Sequence, residues 1–247
     1  MVIDAKEFWL PKHGSTDAEY EDASSIALKD FRFAIADGAT EASFSGIWAR
    51  QLVRAFTGKK FSLPFQLEEL KPLQARWQTI VHRHPLPWYA EEKVSNGAFA
   101  AFLGLELSEE NGADGLKRTW RASAAGDTCL VQIRGNEIQN AFPYKDSASF
   151  NNHPDLLGST NIFNGTGEGL ISHQTGTWGC DDVFFLMTDA LACWFFKSVE
   201  QGQEPWNILR DLDTEAQGSF EDFVAGLRSA NVMKNDDVTL VRVDILA

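Results

Sequence analysis

Apolar runs bounded by an acidic residue recur along this chain, and they constrain its fold more than any other feature. FAIA (33–36) gives way to Asp37-Gly38, VFFLMT (183–188) stops at Asp189, and Asp236 stands just before VTLVRV (238–243). Asp127 follows SAAG (123–126), and Glu21-Asp22 precedes SSIAL (24–28). Short apolar or alternating runs of this kind read as strands, and a turn dipeptide such as Asp-Gly ends them. A strand packed in a sheet holds its end residue rigidly, so carboxylates from separate strands can build a site for a hard divalent cation. One Asp at a strand end is ordinary turn chemistry, because its side chain bonds the local backbone. Five such places in one chain are a pattern. With no His or Cys beside them, the donors are all oxygen, which points to Mg²⁺ or Mn²⁺ rather than zinc.

The segments between these runs set the fold class. SFSGIWARQLVRAFTG (43–58) places Phe44, Ile47, Trp48, Leu52, Ala55 and Phe56 near one helical face, with Ser43 as N-cap and Gly58 as C-terminal stop. A second helix is expected over Gln66–His82, interrupted near Pro72. NGAFAAFLGLEL (96–107) reads as a strand, and TWRASAAGDTCLVQIRGNEIQ (119–139) as strand, tight connection and strand around the Gly135-Asn136 turn. Asn151 to Gly179 is rich in Asn, Gly, Ser and Thr and reads as a loop or flap. DDVFFLMTDALACWFF is read as an apolar strand stopping at Asp189, Ser219 opens a helix, and DVTLVRVDI (237–245) is a final strand. Strands at both ends and in the middle, with helices in groups, favour an α+β fold with antiparallel sheets over a doubly wound parallel sheet. No linker or repeat divides the chain, so one domain over 1–247 is expected.

Composition excludes other classes. With 22 Lys+Arg against 35 Asp+Glu the net charge is −13, the opposite of what phosphate-backbone binding needs, so no nucleic acid is expected. No run approaches the roughly 18 apolar residues of a membrane helix, and the N-terminal MVIDAKEFWLPKHG lacks a signal pattern. A cytoplasmic protein without membrane association is the expectation. The three cysteines, Cys129, Cys180 and Cys193, form no CxxC and read as reduced packing residues. The eight tryptophans read as core, and His82 and His84, two residues apart, lack the spacing of a helical ligand pair.

Taken in order, YEDA (20–23), FAIADGATEASFSG (33–46), SNGAFAAF (95–102), AAGDTCLVQIRGNEI (124–138), DDVFFLMTDAL (181–191) and NDDVTLVRV (235–243) resemble the successive motifs of the PP2C-type (PPM) metal-dependent protein serine/threonine phosphatases, in a divergent bacterial-type form. The resemblance implies a four-layer sandwich, two antiparallel β-sheets flanked by α-helices, with two Mn²⁺ or Mg²⁺ ions at one edge and a third, weaker site. It implies that Asp37 bridges both ions and that Gly38 lends its carbonyl to one. Asp189 and Asp236 match ligands of the other, Glu21 and Asp22 an acidic pair holding metal-bound water, and Asp127 a ligand of the third ion. Catalysis would then run through Asp37, Asp189 and Asp236 and a metal-bridging hydroxide, on a phosphorylated protein made by a Ser/Thr kinase. No GxSxG elbow and no GxxxxGK[ST] loop competes with this reading.

Departures from the pattern are specific. The phosphate-gripping Arg expected four residues before the acidic pair is Asp17, which would repel phosphate, and Lys12, His13 and Arg50 are the nearby cations open to that role. DGATEA replaces the glycine-rich DGMGG or DGHGG and puts Glu41 near the site, Ala39 stands where the animal enzymes have His, Ala190 replaces the Gly of SDGL, and the final DN is Asp236-Asp237. Two rivals follow: a PP2C-like module that binds and regulates a partner protein, and a phosphatase of small molecules.

Overall fold

The computed structural model describes residues 2–39, 44–83, 94–112, 115–150, 154–160, 169–212 and 219–247. In chain order these form β1 (Val2–Leu10), β2 (Ala23–Ala27), β3 (Arg32–Gly38), α1 (Ser45–Thr57), α2 (Lys71–Val81), β4 (Phe99–Gly112), β5 (Gly115–Ala125), β6 (Cys129–Arg134), β7 (Glu137–Phe142), β8 (Leu157–Gly158), β9 (Ser172–Thr177), β10 (Asp182–Met187), α3 (Asp189–Glu200), α4 (Pro205–Asp211), α5 (Ser219–Ser229) and β11 (Val238–Leu246). One sheet runs β1-β11-β10-β6-β7 and the other β2-β3-β4-β5-β9, with β8 added to β4. Every pairing is antiparallel.

Period-two alternation explains the layers. In β3, Phe33 and Ile35 enter the core between the sheets, while Ala34 and Ala36 face the helical side with Trp48, Leu52 and Phe56 of α1. Alanines on that face let the helix come close. In β10, Phe184 and Leu186 point between the sheets and Val183, Phe185 and Met187 point to α3, α4 and α5. A strand buried on both faces reads as an unbroken apolar run. The result is helices, sheet, sheet, helices: an α+β sandwich of four layers. No helix among the described residues is long and apolar enough to cross a membrane.

Several sequence expectations need correction. The strand does stop before Asp189, at Met187, but the apolar run beyond it, for which the sequence reading names no element, is the helix α3, which begins at Asp189 with Thr188 as N-cap. The segment is apolar all round because Leu191, Ala192, Trp194, Phe195 and Phe196 are buried, so strand and helix merged into one run. The expected loop 151–179 contains β8 and β9, and Ser172–Thr177 pairs along β5 although it has no apolar side chain. Residues 151–153 and 161–168 of that segment, Gly165 and Gly167 among them, lie outside the described residues. Ser43 does too, and the N-cap of α1 is Phe44, at φ 66°. Glu41 and His84 are likewise outside them. β1 and α4, absent from the sequence reading, are an edge strand whose one buried side chain is Phe8 and a seven-residue helix. Of the cysteines, Cys129 is buried, Cys193 half-buried and Cys180 exposed, so packing does not account for Cys180. The described tryptophans are buried except Trp9, which is 42% exposed.

Candidate active site

Five segments of the chain, one strand end, one helix start and three connections, bring acidic side chains to one edge of the sandwich. Asp37 is the next-to-last residue of β3 and pairs with Ala101 of β4. Gly38 follows it where the chain passes close under Glu21 and Ser45: a Cβ there would stand 2.7 Å from the Glu21 carbonyl oxygen, so only glycine fits. Asp127 comes just after the chain leaves β5 for the other sheet through Gly126, at φ +83°, a conformation that costs other residues strain. Asp189 opens α3, its Oδ1 accepting from the Ala190 N–H at 2.5 Å. Asp236 precedes β11, its carbonyl accepting from Arg228 Nη2 at 2.5 Å.

Asp22 is set deepest, at 1% exposure. Its Oδ2 accepts from Thr239 Oγ1 at 2.7 Å, Tyr20 shares a hydrogen bond with that same hydroxyl, and Oδ1 is buried without a partner. Asp237 does different work from the added charge read in the sequence. It is buried, and its two oxygens accept from the backbone N–H groups of Lys12 and Glu21, both at 2.8 Å, clamping the β1–β2 connection against β11. Glu21 turns elsewhere: its carboxylate accepts from Ser45 Oγ and lies 3.8 Å from Lys12 Nζ.

Burial first, then the neighbouring charges of Asp22, Asp189, Asp127 and Asp236, push the Asp37 carboxyl well above the usual range. Asp22 is raised well above it too, by burial and then, against its bond from Thr239, by Asp237 and Asp189. Burial and Asp189 carry Asp127 to about 7, and burial and Asp236 raise Asp189. The five aspartates therefore form one electrostatic unit. Four of them, Asp37, Asp127, Asp189 and Asp236, line a cleft of about 720 Å³ together with Cys193, Trp194, Lys197 and Lys234.

Two cations of this cleft escaped the sequence reading. Lys234 Nζ lies 2.6 Å from Asp236 Oδ2 and 3.7 Å from Asp189 Oδ2. Burial pulls its ammonium down, but Asp236, Asp189 and Asp37 more than offset this and hold it above the ordinary lysine value. Lys197 follows Asp189 and Cys193 along one face of α3, a spacing legible only once that segment is known to be helical. The cations considered for Asp17's position go elsewhere. Asp17, Lys12 and His13 line a separate groove with Trp9 and Arg228, and Arg50 lines a third pocket between α1 and α2.

The donor set suits hard divalent cations. It is all oxygen, it carries mutual repulsion met by one touching ammonium, and it contains an orphaned buried oxygen on Asp22. Among the described residues no three Asp, Glu, His or Cys side chains close on a single point. Hard divalent cations take oxygen ligands, and Mg²⁺ usually keeps several waters. Asp37, Asp189, Asp236, Asp127 and Asp22 are the residues that would hold them.

No protein-family model and no curated protein matches the chain. Solved structures do. The photosystem II phosphatase PBCP superposes with a TM-score of 0.61 over 98% of both chains at 13% identity. The Mycobacterium tuberculosis serine/threonine phosphatase PstP/Ppp gives 0.60 over 100% of both chains at 14%. The catalytic domain of PstP in complex with two manganese ions gives 0.59 over 100% of this chain and 99% of that one at 15%.

Proposed function

We propose that this chain, whose fold is that of the PP2C-type (PPM) phosphatases, is a divalent-metal-dependent phosphatase acting on phosphoserine and phosphothreonine in proteins. The observation that carries the reading is the convergence of Asp22, Asp37, Asp127, Asp189 and Asp236, from five separate segments of the chain, at one edge of the sandwich. Mn²⁺ or Mg²⁺ at such a site supplies an activated water and neutralises phosphoryl oxygens. The chain's own groups do the rest. Asp37 and Asp189 offer carboxylates from rigid positions, one at a strand end and one at a helix start. Asp22, fixed by Thr239, keeps one oxygen free for a water or an ion. Lys234 and Lys197 stand at the cleft as donors for the substrate's phosphoryl oxygens, the role that Asp17 cannot fill. A phosphorylated protein and the kinase that makes it are the partners this reading calls for.

Hydrolysis of p-nitrophenyl phosphate and of a phosphoserine peptide, with Mn²⁺ and with EDTA, tests it. Turnover with Mn²⁺ that EDTA abolishes is expected. No turnover on either substrate would end the reading and leave a partner-binding module, and turnover of the small ester alone would remove the protein substrate.

A further inference from the structure

We propose that the groove between α1 and α2 is a second anion site, separate from the carboxylate cleft, that takes a phosphoryl group. The groove holds about 150 Å³ and shares no residue with the cleft. Along α1, Arg50 and Arg54 are four residues apart and share a face, with Gln51 beside them on the more buried side; Arg76 of α2 and Lys60 from the connection complete the rim, over an apolar floor that includes Leu73.

Two independent observations point to a ligand. First, in a chain of net charge −13, these four cations have no hydrogen-bond or ion-pair partner for their side chains among the described residues. Arg32, Arg118, Arg121, Arg134 and Arg242 each face a carboxylate. Arg50 instead has Arg54 beside it, and burial, then that like charge, hold the Arg50 guanidinium below its ordinary value. Second, Gln51 is 8% exposed, lines the groove, and has both amide Nε2 and Oε1 buried with no partner. A buried amide left unpaired costs about 1–3 kcal/mol, which a ligand that draws the Gln51 amide toward the groove would recover.

The chemistry of the rim selects the group. Guanidinium forks bind phosphate oxygens in pairs, and a dianion answers several cations at once. The volume admits a phosphoryl group but falls below the roughly 300 Å³ at which sites for larger ligands begin. The phosphoryl group can arrive as free phosphate or on a side chain of another protein, and the test separates the two.

The test is an NMR titration of the ¹⁵N-labelled full chain in EDTA, at fixed ionic strength because the attraction is screened by salt. Inorganic phosphate is expected to shift the Gln51 side-chain amide and the amides of 47–55 and 73–80 saturably. Arg54→Gln with Arg76→Gln should weaken this at least tenfold, Gln51→Leu should weaken it without unfolding the chain, and Lys234→Ala should leave it unchanged. A phosphoserine peptide binding at least tenfold tighter than phosphate, with its unphosphorylated form silent, identifies the protein-borne group, and equal affinity identifies free phosphate. No saturable shift at Gln51, or equal affinity in the double arginine variant, overturns the site. Because the readout needs neither metal nor turnover, it stands or falls apart from the phosphatase reading.

Discussion

Asp37 is buried among charges of its own sign, so ionising its carboxyl costs the fold stability. Asp37→Asn is expected to abolish Mn²⁺-dependent hydrolysis while leaving the metal-free melting temperature equal to or above that of the parent chain; a clear fall in stability would show that the carboxylate is structural. Lys234→Ala should raise KM for p-nitrophenyl phosphate about tenfold, the worth of one charge-assisted bond, and Lys234→Arg should recover most of it. A KM unmoved by both changes would take Lys234 off the phosphate. Asp17→Arg, which the sequence alone suggests would lower KM, should leave it unchanged, since residue 17 lines the groove beside Trp9 and Arg228 rather than the cleft. The aspartates were legible as carboxylates bounding apolar runs, and their meeting at one edge of the sandwich is what the structure adds. Lys234 and Lys197 belong to no motif, and nothing local in the sequence marks two lysines as neighbours when one lies in a loop and the other on a helix.

At the level of elements, buried strands announced themselves and edges did not. β3, β4, β10 and β11 carry the apolar runs that were read as strands, whereas β1 and β9 are held chiefly by backbone pairing to β11 and β5, which leaves little trace in side-chain type. The pairing has a consequence for exchange. Amides of Ser172–Thr177 that donate to β5 should be protected well above those at 169–171, the reverse of a flap over the whole of 151–179, and uniform fast exchange across 169–177 would contradict the strand. Gly38→Ala tests how tightly β3 is docked. The added Cβ meets backbone rather than a movable side chain, so a loss of about 1–3 kcal/mol is expected in a denaturant melt, together with weaker Mn²⁺ binding as Asp37 shifts. A neutral result would mean that the β3 end and Glu21 separate easily.

For the molecule as a whole, the aspartate unit makes metal and pH exchangeable. An unfolded Asp releases its proton near 3.8, but folded Asp127 holds its proton to about 7, and Asp22, Asp37 and Asp189 are raised as well. Between those values the native state binds more protons than the unfolded one, so without metal stability must fall as pH rises through this window. Thermal melts in EDTA from pH 5 to 7.5 should show that decline, and Mn²⁺ at pH 7.5 should reverse it, by about 2.7 kcal/mol at a hundredfold excess over its Kd. A melting temperature in EDTA that climbs toward pH 7.5 would break the linkage. The four-layer architecture was the most legible level of all, because alternation and burial act on every strand at once.

One pairing has a further consequence, in the order of synthesis. Val2 lies opposite Leu246 and Leu10 opposite Val238, so β1, made early, waits for β11, made about 230 residues later. β11 also stands between β1 and β10, and Asp236 and Thr239 sit at its beginning. A chain emerging from the ribosome can close the β2–β5 meander early, but the other sheet stays open and the aspartate unit unassembled until β11 is free. Nascent chains stalled before residue 236 should then present an unpaired β10 edge to chaperones and acquire no metal-dependent protection from protease, so that commitment to the fold and competence at the cleft arrive together.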